Sequence, residues 1–234
     1  SLKAFIEQVS NEFNSIQFAP VNTHPDHQEI DFARYFRENT FNLNEFDSKQ
    51  YQLCIIWRED RWWTSTWIEE KIGFLSVKYS FEWLKVWLVD RQLRTFNKLI
   101  KLVRSELPEL SIKVVGIGIR GAFPENVIDH RRSSPVVEDE LAWSEVYASS
   151  QVVIGVHGSH MLVPTALAAG FVALLPDHKV PHLSEDILMK HTPRFQTFLG
   201  RHLTIFSSPS VVSKHIISMF RDFSYLYNHT VSRK

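Results

Sequence analysis

The sequence is poor in cysteine and lacks long apolar runs. Its single cysteine, Cys54, cannot form a disulfide within the 234-residue chain, so the fold does not require an oxidising compartment. Cys54 lies in an apolar run, where a buried structural thiol is expected rather than a nucleophile. No apolar run approaches the roughly 18 residues that a membrane-spanning helix needs, and the start of the chain lacks the pattern of a signal peptide. These absences predict a cytoplasmic protein without a transmembrane segment.

An excess of charge of one sign is also absent. Lys plus Arg and Asp plus Glu number 26 each, so no overall field attracts nucleic acid or an anionic membrane. Acidic residues outnumber basic ones in residues 1–50, which leaves residues 51–234 mildly basic and favours an anionic ligand. Hydrophobic residues make up 44% of the chain and charged residues 22%, which excludes a disordered tail, a collagen-like chain and a coiled-coil rod.

Residues 51–208 alternate between short apolar runs and amphipathic stretches. The apolar runs predict buried strands at 52–57, 112–119, 151–156, 172–175 and 203–206. The amphipathic stretches predict helices at 81–107, 138–149 and 160–169. This alternation predicts an α/β fold, with a Rossmann-like parallel sheet and helices on both faces. Such sheets bind ligands beyond the carboxyl ends of their strands.

Two flanking segments complete the predicted organisation. Residues 1–50 contain a short amphipathic stretch at 2–13 but no sustained pattern, so we interpret them as a connecting segment. Residues 209–234 begin with a helical pattern over 210–227 and are predicted to form a C-terminal helix that crosses back toward the connecting segment.

The turn after the third predicted strand is the strongest candidate for binding phosphate. It reads Gly-Val-His-Gly-Ser-His over residues 155–160 and leads into an Ala-rich helical stretch. Gly158 allows a ligand to approach the backbone, and Ser159 can cap the helix and donate to a phosphate oxygen. His157 and His160 add donors that gain charge when an anion lies nearby. The alternative is an ordinary capped helix whose histidines fill polar space.

Arg58 and Arg61 follow the first predicted strand and can bind a phosphate or carboxylate through paired hydrogen bonds. Three tryptophans beside them are candidates for stacking on a sugar or base: Trp62, Trp63 and Trp67. An equally weighted alternative is a self-neutralising loop, in which the two intervening carboxylates cancel the arginines and the tryptophans pack on the next helix.

Residues 116–121, Gly-Ile-Gly-Ile-Arg-Gly, match the dinucleotide pattern G-x-G-x-x-G. The pattern makes an NAD-dependent oxidoreductase an alternative function, but it needs a helix that opens inside the motif, and Pro124 would interrupt such a helix. Gly116 and Gly118 lie at alternate strand positions, which instead suggests a helix packed closely on the sheet.

Arg120 and Phe123 lie at the end of the second predicted strand and are candidates for a wall beside a nucleobase. Residues 129–132 are interpreted as a solvated turn. Two histidine pairs, His157 with His160 and His178 with His182, have helical spacings but not the H-E-x-x-H arrangement, so no metal site is expected.

Residues 139–170, DELAWSEVYASSQVVIGVHGSHMLVPTALAAG, resemble the donor-binding half of GT-B glycosyltransferases. Heptosyltransferases and their relatives share a helix with an Ala/Ser-rich end, a strand reading "vIG", a small-residue turn and an Ala-rich helix. The turn is similar to the G-x-H-G turn of the glycosyltransferase group that includes plant xylosyltransferases.

The resemblance implies a GT-B donor domain over residues 51–208 and the binding of a nucleotide-diphosphate sugar for metal-independent glycosyl transfer. It implies that residues 157–160 hold the diphosphate and that Arg58 or Arg61 neutralises the leaving nucleotide. Glu185 or Asp186 would take the ribose-binding role of the family. No catalytic base, metal or further cofactor is assigned.

GT-B enzymes consist of two halves, and a chain of this length accommodates only the donor half with additions. Residues 1–50 would then lie on the acceptor side. A missing N-terminal half or a partner chain would complete the site for an acceptor glycan or another acceptor. The alternative function is that of a non-catalytic scaffold or remnant domain in polysaccharide assembly.

Overall fold

The computed structural model describes residues 40–180 and 199–230. The predicted helix at 2–13 lies outside these residues, as do Glu185 and Asp186.

Six strands form one parallel sheet. They are β1 (Gln52–Arg58), β2 (Ser111–Ile117), β3 (Ile128–Asp129), β4 (Val152–Val156), β5 (Gly170–Leu175) and β6 (Gly200–Thr204). Their order across the sheet is β3-β2-β1-β4-β5-β6, and each neighbouring pair is parallel. This order is that of the doubly wound Rossmann fold, and its direction reverses between β1 and β4. The predicted α/β, Rossmann-like fold class is confirmed.

Residues 40–180 and 199–230 contain six α-helices that accompany the sheet. They are α1 (Trp67–Lys78), α2 (Glu82–Glu106), α3 (Val137–Ala148), α4 (Leu162–Leu167), α5 (Pro209–Arg221) and α6 (Phe223–Thr230). The predictions of α2 and α3 are accurate to one residue at each end. The helix predicted at 210–227 is instead two helices, separated at Asp222, and the strand predicted at 203–206 begins at Gly200 and ends at Thr204. Neither α1 nor β3 was predicted.

Side chains on the two faces of the sheet enter two separate apolar clusters, because successive strand residues point to opposite faces. Leu53 and Ile55 of β1 belong to the larger cluster, which includes apolar residues of α2 and α5. Cys54 and Ile56 belong to the smaller cluster, which includes residues of α3 and the end of α4. Helices therefore cover both faces. Cys54 is fully buried, and burial raises the pKa of its thiol, as expected for a structural cysteine.

The interpretation of residues 129–132 as a solvated turn is wrong. β3 begins at Ile128 and pairs with β2, and Arg131 is buried. Arg131 donates hydrogen bonds to the Asp129 carboxylate and to the backbone oxygens of Arg120 and Gly121. Its guanidinium lies 4.7 Å from the centre of the Phe123 ring. A basic side chain is buried here because a carboxylate, two carbonyls and an aromatic face replace its water.

Candidate functional site

The carboxyl ends of β1 and β4 form the centre of the candidate site. Ile56 pairs with Gly155 in the register of these strands, so the same register carried forward brings Arg58 beside His157. The strand order reverses at this point, and open α/β sheets bind ligands in the crevice at such a reversal. We call this place the β1–β4 crevice. It receives both of the chain segments that the sequence singled out for a diphosphate.

The turn after β4 is tighter than the sequence predicted. A short 3-10 helix, Ser159–Met161, precedes α4, and α4 itself has six residues and begins at Leu162 rather than at residue 160. Gly158 stands at the cap position, and Ser159 forms no side-chain cap, so the predicted capping role of Ser159 is wrong. Ser159 is exposed at the start of the turn.

Backbone N–H groups are the donors that this turn offers. Its first hydrogen bond runs from the Met161 N–H to the Gly158 oxygen at 2.8 Å. The N–H groups of Gly158, Ser159 and His160 therefore precede the hydrogen-bonded part of the turn and have no acceptor within it. The absence of a side chain at Gly155 lets the turn fold back, because a Cβ there would lie 2.6 Å from the Met161 Sδ.

The pKa of His160 depends on the charged side chains around the crevice. Burial lowers the pKa of His160 from 6.5 to about 4, and the positive charges of Arg58 and Arg61 act in the same direction. Asp60 opposes them. Arg58 and Arg61, at and after the end of β1, are therefore close enough to interact with His160, in the turn after β4. His160 is neutral at neutral pH in the ligand-free protein, and an anion beside it would raise its pKa again.

The lowered pKa of His160 predicts how stability depends on pH. The unfolded chain has a histidine pKa near 6.5 and the folded chain one of about 4, so the unfolded state binds more protons between these values. The contribution is complete above pH 6.5 and is lost as pH falls, by about 3 kcal/mol near pH 4. Urea denaturation at decreasing pH should show a shallower loss for His160→Gln than for the wild type. His178→Gln, a change at an exposed histidine, serves as the control, and a loss in His160→Gln equal to that of the wild type would contradict the assignment.

His157 lies deeper than His160 and supports the crevice from the sheet side. Its side chain is buried, and its backbone N–H donates to the Leu174 oxygen at 2.8 Å. Its ring lies 5.8 Å from the ring of His202 on β6. Burial lowers the pKa of His202 to about 4, with a contribution from His157. Sequence reasoning missed His202, because only the parallel pairing of β4, β5 and β6 brings it near the turn.

Arg58 is held by Asp60 in a bidentate ion pair. Its Nε and Nη2 each donate to the Asp60 carboxylate at 2.8 Å. Burial opposes ionisation of Asp60, but the hydrogen bonds and charge of Arg58, with the charge of Arg61, lower its pKa overall. The self-neutralising loop is therefore observed for Arg58. Arg61 forms no ion pair with another described residue and remains the available guanidinium.

The backbone of this loop is anchored by Gln92, a fully buried residue of α2. Its amide nitrogen donates to the Arg58 oxygen at 2.9 Å, and its amide oxygen accepts from the Trp63 N–H at 2.7 Å. Trp62 and Trp63 are buried in the core and cannot stack on a ligand, so their predicted stacking role is wrong. Trp67, on α1, is exposed. No local pattern in the sequence indicates which of the three tryptophans is exposed, because their burial depends on where α1 and α2 pack.

The residues predicted for the nucleobase side are bound to other groups. Arg120 forms an ion pair with Asp90 at 2.9 Å, and its backbone N–H donates to Glu59 at 2.7 Å. Phe123 packs edge-on against Trp57, with ring centres 5.4 Å apart. These contacts lie beside β2, on one side of the crevice. Glu185 lies outside the described residues.

The glycines near the end of β2, Gly116 inside the strand and Gly118 just after it, are explained by backbone geometry rather than by helix packing. Gly116 and Gly118 have φ angles of +128° and +104°, a region that favours glycine. A Cβ at Gly116 would collide with the backbone oxygen of Trp57, and a Cβ at Gly118 would collide with the side chain of Glu59. The prediction that a helix packs on these glycines is wrong. The element after β2 is the strand β3, so no helix opens inside the dinucleotide pattern.

No protein-family model matches the chain, and no curated protein matches it either. Across residues 40–180 and 199–230, no cluster of three or more His, Cys, Asp or Glu side chains could hold a metal ion. No helix in that part of the chain is both long enough and apolar enough to cross a bilayer.

Proposed function

We propose that the β1–β4 crevice binds the diphosphate of a nucleotide-diphosphate sugar and that the chain is the donor-binding half of a GT-B glycosyltransferase. The observation that carries the proposal is the convergence of Arg58, Arg61 and the turn at 157–160 where the strand order reverses. Two guanidinium groups and a run of backbone donors at one place suit an anion with several oxygens.

Each group has a distinct role in the proposed binding. The N–H groups of Gly158 and Ser159 donate to phosphate oxygens, and the Ser159 hydroxyl adds a donor at the rim. Arg61 supplies a positive charge from the β1 side. Arg58 joins it when the ligand competes with Asp60 for its Nε and Nη2. His160, which lies against Gly158, becomes a cationic donor when the anion raises its pKa.

The proposed reaction uses these groups to stabilise the leaving diphosphate. The bond between the anomeric carbon and the diphosphate oxygen breaks, and its electron pair passes to that oxygen. An acceptor hydroxyl forms the new glycosidic bond and loses its proton to a base that we do not assign. Arginine charges and oriented backbone donors neutralise the departing diphosphate, the work that a divalent ion performs in other transferases.

The remaining parts of the proposal concern the rest of the enzyme. The nucleobase would lie toward β2, near Arg120 and Phe123, and Glu185 is kept for the ribose. A further N-terminal half or a partner chain would bring the acceptor, and residues 1–50 would lie on that side. We place the protein in the cytoplasm, since its single buried cysteine requires no oxidising compartment.

A panel of ligands tests the proposed function. UDP, GDP and their sugar conjugates, at about a hundredfold excess over their Kd, should raise the melting temperature by roughly 5–10 °C. The shift should persist in EDTA, because the neutralising groups belong to the chain. It should shrink with added salt, because the ion pairs lie near the surface.

Other outcomes separate the alternatives. A shift with NAD alone would support the oxidoreductase that residues 116–121 suggest. A shift in melting temperature that is lost in EDTA and restored by Mn²⁺ would overturn the proposal that the diphosphate is bound without a metal ion. No shift with any nucleotide would favour the scaffold function.

A further inference from the structure

A large aromatic surface lies outside the crevice, on α1, on the turn after it and on the start of α2. We call it the aromatic face, and its exposed members are Trp67, Ile68, Phe74, Leu75, Val77, Tyr79, Phe81, Trp83 and Trp87. Its six aromatic side chains alone expose on the order of 600 Å². The largest apolar patch of a typical monomer is about 300–600 Å² and is often functional.

The packing of α1 explains why its large side chains point outward. α1 contacts the core through its two buried residues, Gly73 and Ser76, and through the partly buried Ile72. The ring of Trp62 lies against Gly73, where a Cβ would be 2.9 Å from the Trp62 Cε3. Small residues therefore bring the helix close to the domain, and the apolar residues on its opposite side remain in solvent.

The charged side chains near the aromatic face form two groups, one at its border and one on the face itself. Two acidic side chains at the border pair with basic ones, Glu69 with Arg91 at 2.8 Å and Glu82 with Lys85 at 2.6 Å. Glu70 lies 3.4 Å from the ring of His178, which carries a charge only when it is protonated. Two lysines remain on the face itself.

Lys71 lies 4.6 Å from the centre of the Trp67 ring, and Lys78 lies 5.4 Å from the centre of the Tyr79 ring. Each ammonium is therefore held beside an aromatic ring. The face combines exposed tryptophans, other apolar side chains and two lysines that form no ion pair with a carboxylate among residues 40–180 and 199–230.

This combination matches the interface of a bilayer. Trp and Tyr rings partition into the headgroup region, where one end is apolar and the other is hydrated. Lysines at the same depth extend toward anionic headgroups. We propose that the aromatic face docks the protein on the surface of an anionic membrane, as a peripheral contact.

A second copy of the chain would fit the face less well. A two-fold contact centred on α1 would bring Lys71 of one copy toward Lys78 of the other, and like charges across an interface oppose association. Anionic headgroups satisfy the same lysines. The neutrality of the whole chain does not conflict with this, because the attraction acts within a Debye length of the surface.

The aromatic face and the β1–β4 crevice lie at the same end of the sheet. α1 follows the loop that carries Arg58 and Arg61, and its Glu70 lies beside His178, just after β5. A docked molecule would therefore hold the crevice beside the membrane. The docking proposal rests on the aromatic face alone and does not require the proposed function.

Co-sedimentation with lipid vesicles tests the proposal. The wild-type chain should bind phosphatidylcholine vesicles that contain phosphatidylglycerol and bind pure phosphatidylcholine vesicles more weakly. The double variant Phe74→Ser/Trp83→Ser removes two side chains that are 68% and 70% exposed and should lower the partition coefficient about tenfold or more. Lys71→Ala/Lys78→Ala should bring binding of anionic vesicles close to that of neutral ones. Val137→Ser changes a residue on α3 that is 67% exposed and should leave binding unchanged.

Three results would overturn the proposal. The first is a wild-type chain, shown by circular dichroism to be folded, that does not bind anionic vesicles. The second is an equal loss of binding in Val137→Ser and in the Phe74/Trp83 variant. The third is a wild-type dimer in sedimentation velocity that Phe74→Ser/Trp83→Ser converts to a monomer without any vesicle binding, which would assign the face to a second copy.

Discussion

Replacing Arg61 by glutamine is expected to weaken UDP binding about tenfold, and replacing Arg58 as well about a hundredfold or more. Charge-assisted hydrogen bonds from a guanidinium to phosphate are the strongest contacts that the crevice offers. Arg61 forms no ion pair with another described residue, so its guanidinium does not have to leave a carboxylate before it binds the ligand. Isothermal titration calorimetry at low salt measures the difference directly.

Asp60→Asn is expected to act in the opposite direction and to strengthen UDP binding several-fold. The Asp60 carboxylate occupies Nε and Nη2 of Arg58, so a diphosphate must displace it before it can use that arginine fully. Removing the carboxylate charge also removes repulsion of the ligand. If UDP affinity falls in the arginine variants and rises in Asp60→Asn, the effects come from contact with the ligand, because a general loss of folding would lower the affinity in every variant.

The matched control for these arginines is Arg221→Gln. Arg221 pairs with Glu106 at 2.8 Å at the ends of α5 and α2, on the amino side of the sheet. Its loss should leave UDP affinity unchanged. Equal affinities of the wild type and the Arg58/Arg61 variant would rule out the β1–β4 crevice as the diphosphate site.

Gly116→Ala is expected to destabilise the protein by about 3 kcal/mol or more. The residue has a φ angle of +128°, and a Cβ there would collide with the backbone oxygen of Trp57 on the neighbouring strand. A backbone atom in the middle of the sheet cannot move aside without separating β1 from β2. The cost therefore includes both strain and lost strand pairing.

Gly155→Ala is the matched control for this effect, because Gly155 also lies in a central strand. The atom nearest to its added Cβ is the Met161 Sδ, on a flexible side chain, and the Cβ and backbone oxygen of Ile56 lie at 3.0 and 3.3 Å, which is tight but not a collision of the kind at Gly116. We expect a loss of about 1 kcal/mol for this variant. Chemical denaturation of both variants measures the difference, and equal losses would show that the collision with Trp57 is not the cause.

Local sequence patterns were sufficient for the central strands and for the location of the crevice. The apolar runs at 52–57 and 151–156 predict strands buried on both faces, and parallel strands end at one edge of a sheet. That rule alone predicts that Arg58 and Arg61 lie near the turn that carries His160. The patterns failed for α1, because its two buried residues, Gly73 and Ser76, are small, and Ile72 alone does not make an apolar stripe on the packed side.

The amino-acid sequence by itself determined the class of fold, the β1–β4 crevice and the kinds of donor that surround it. Those features follow from the periodicity of apolar residues and from short-range turns, which depend on neighbours in the chain. The tertiary structure alone decided which partners these side chains contact and which of them are buried. It paired Arg58 with Asp60, buried Trp62 and Trp63 but exposed Trp67, and made Arg131 a core residue. Burial and ion pairing are set by contacts between residues far apart in the chain, and no local pattern encodes which polar group meets which partner.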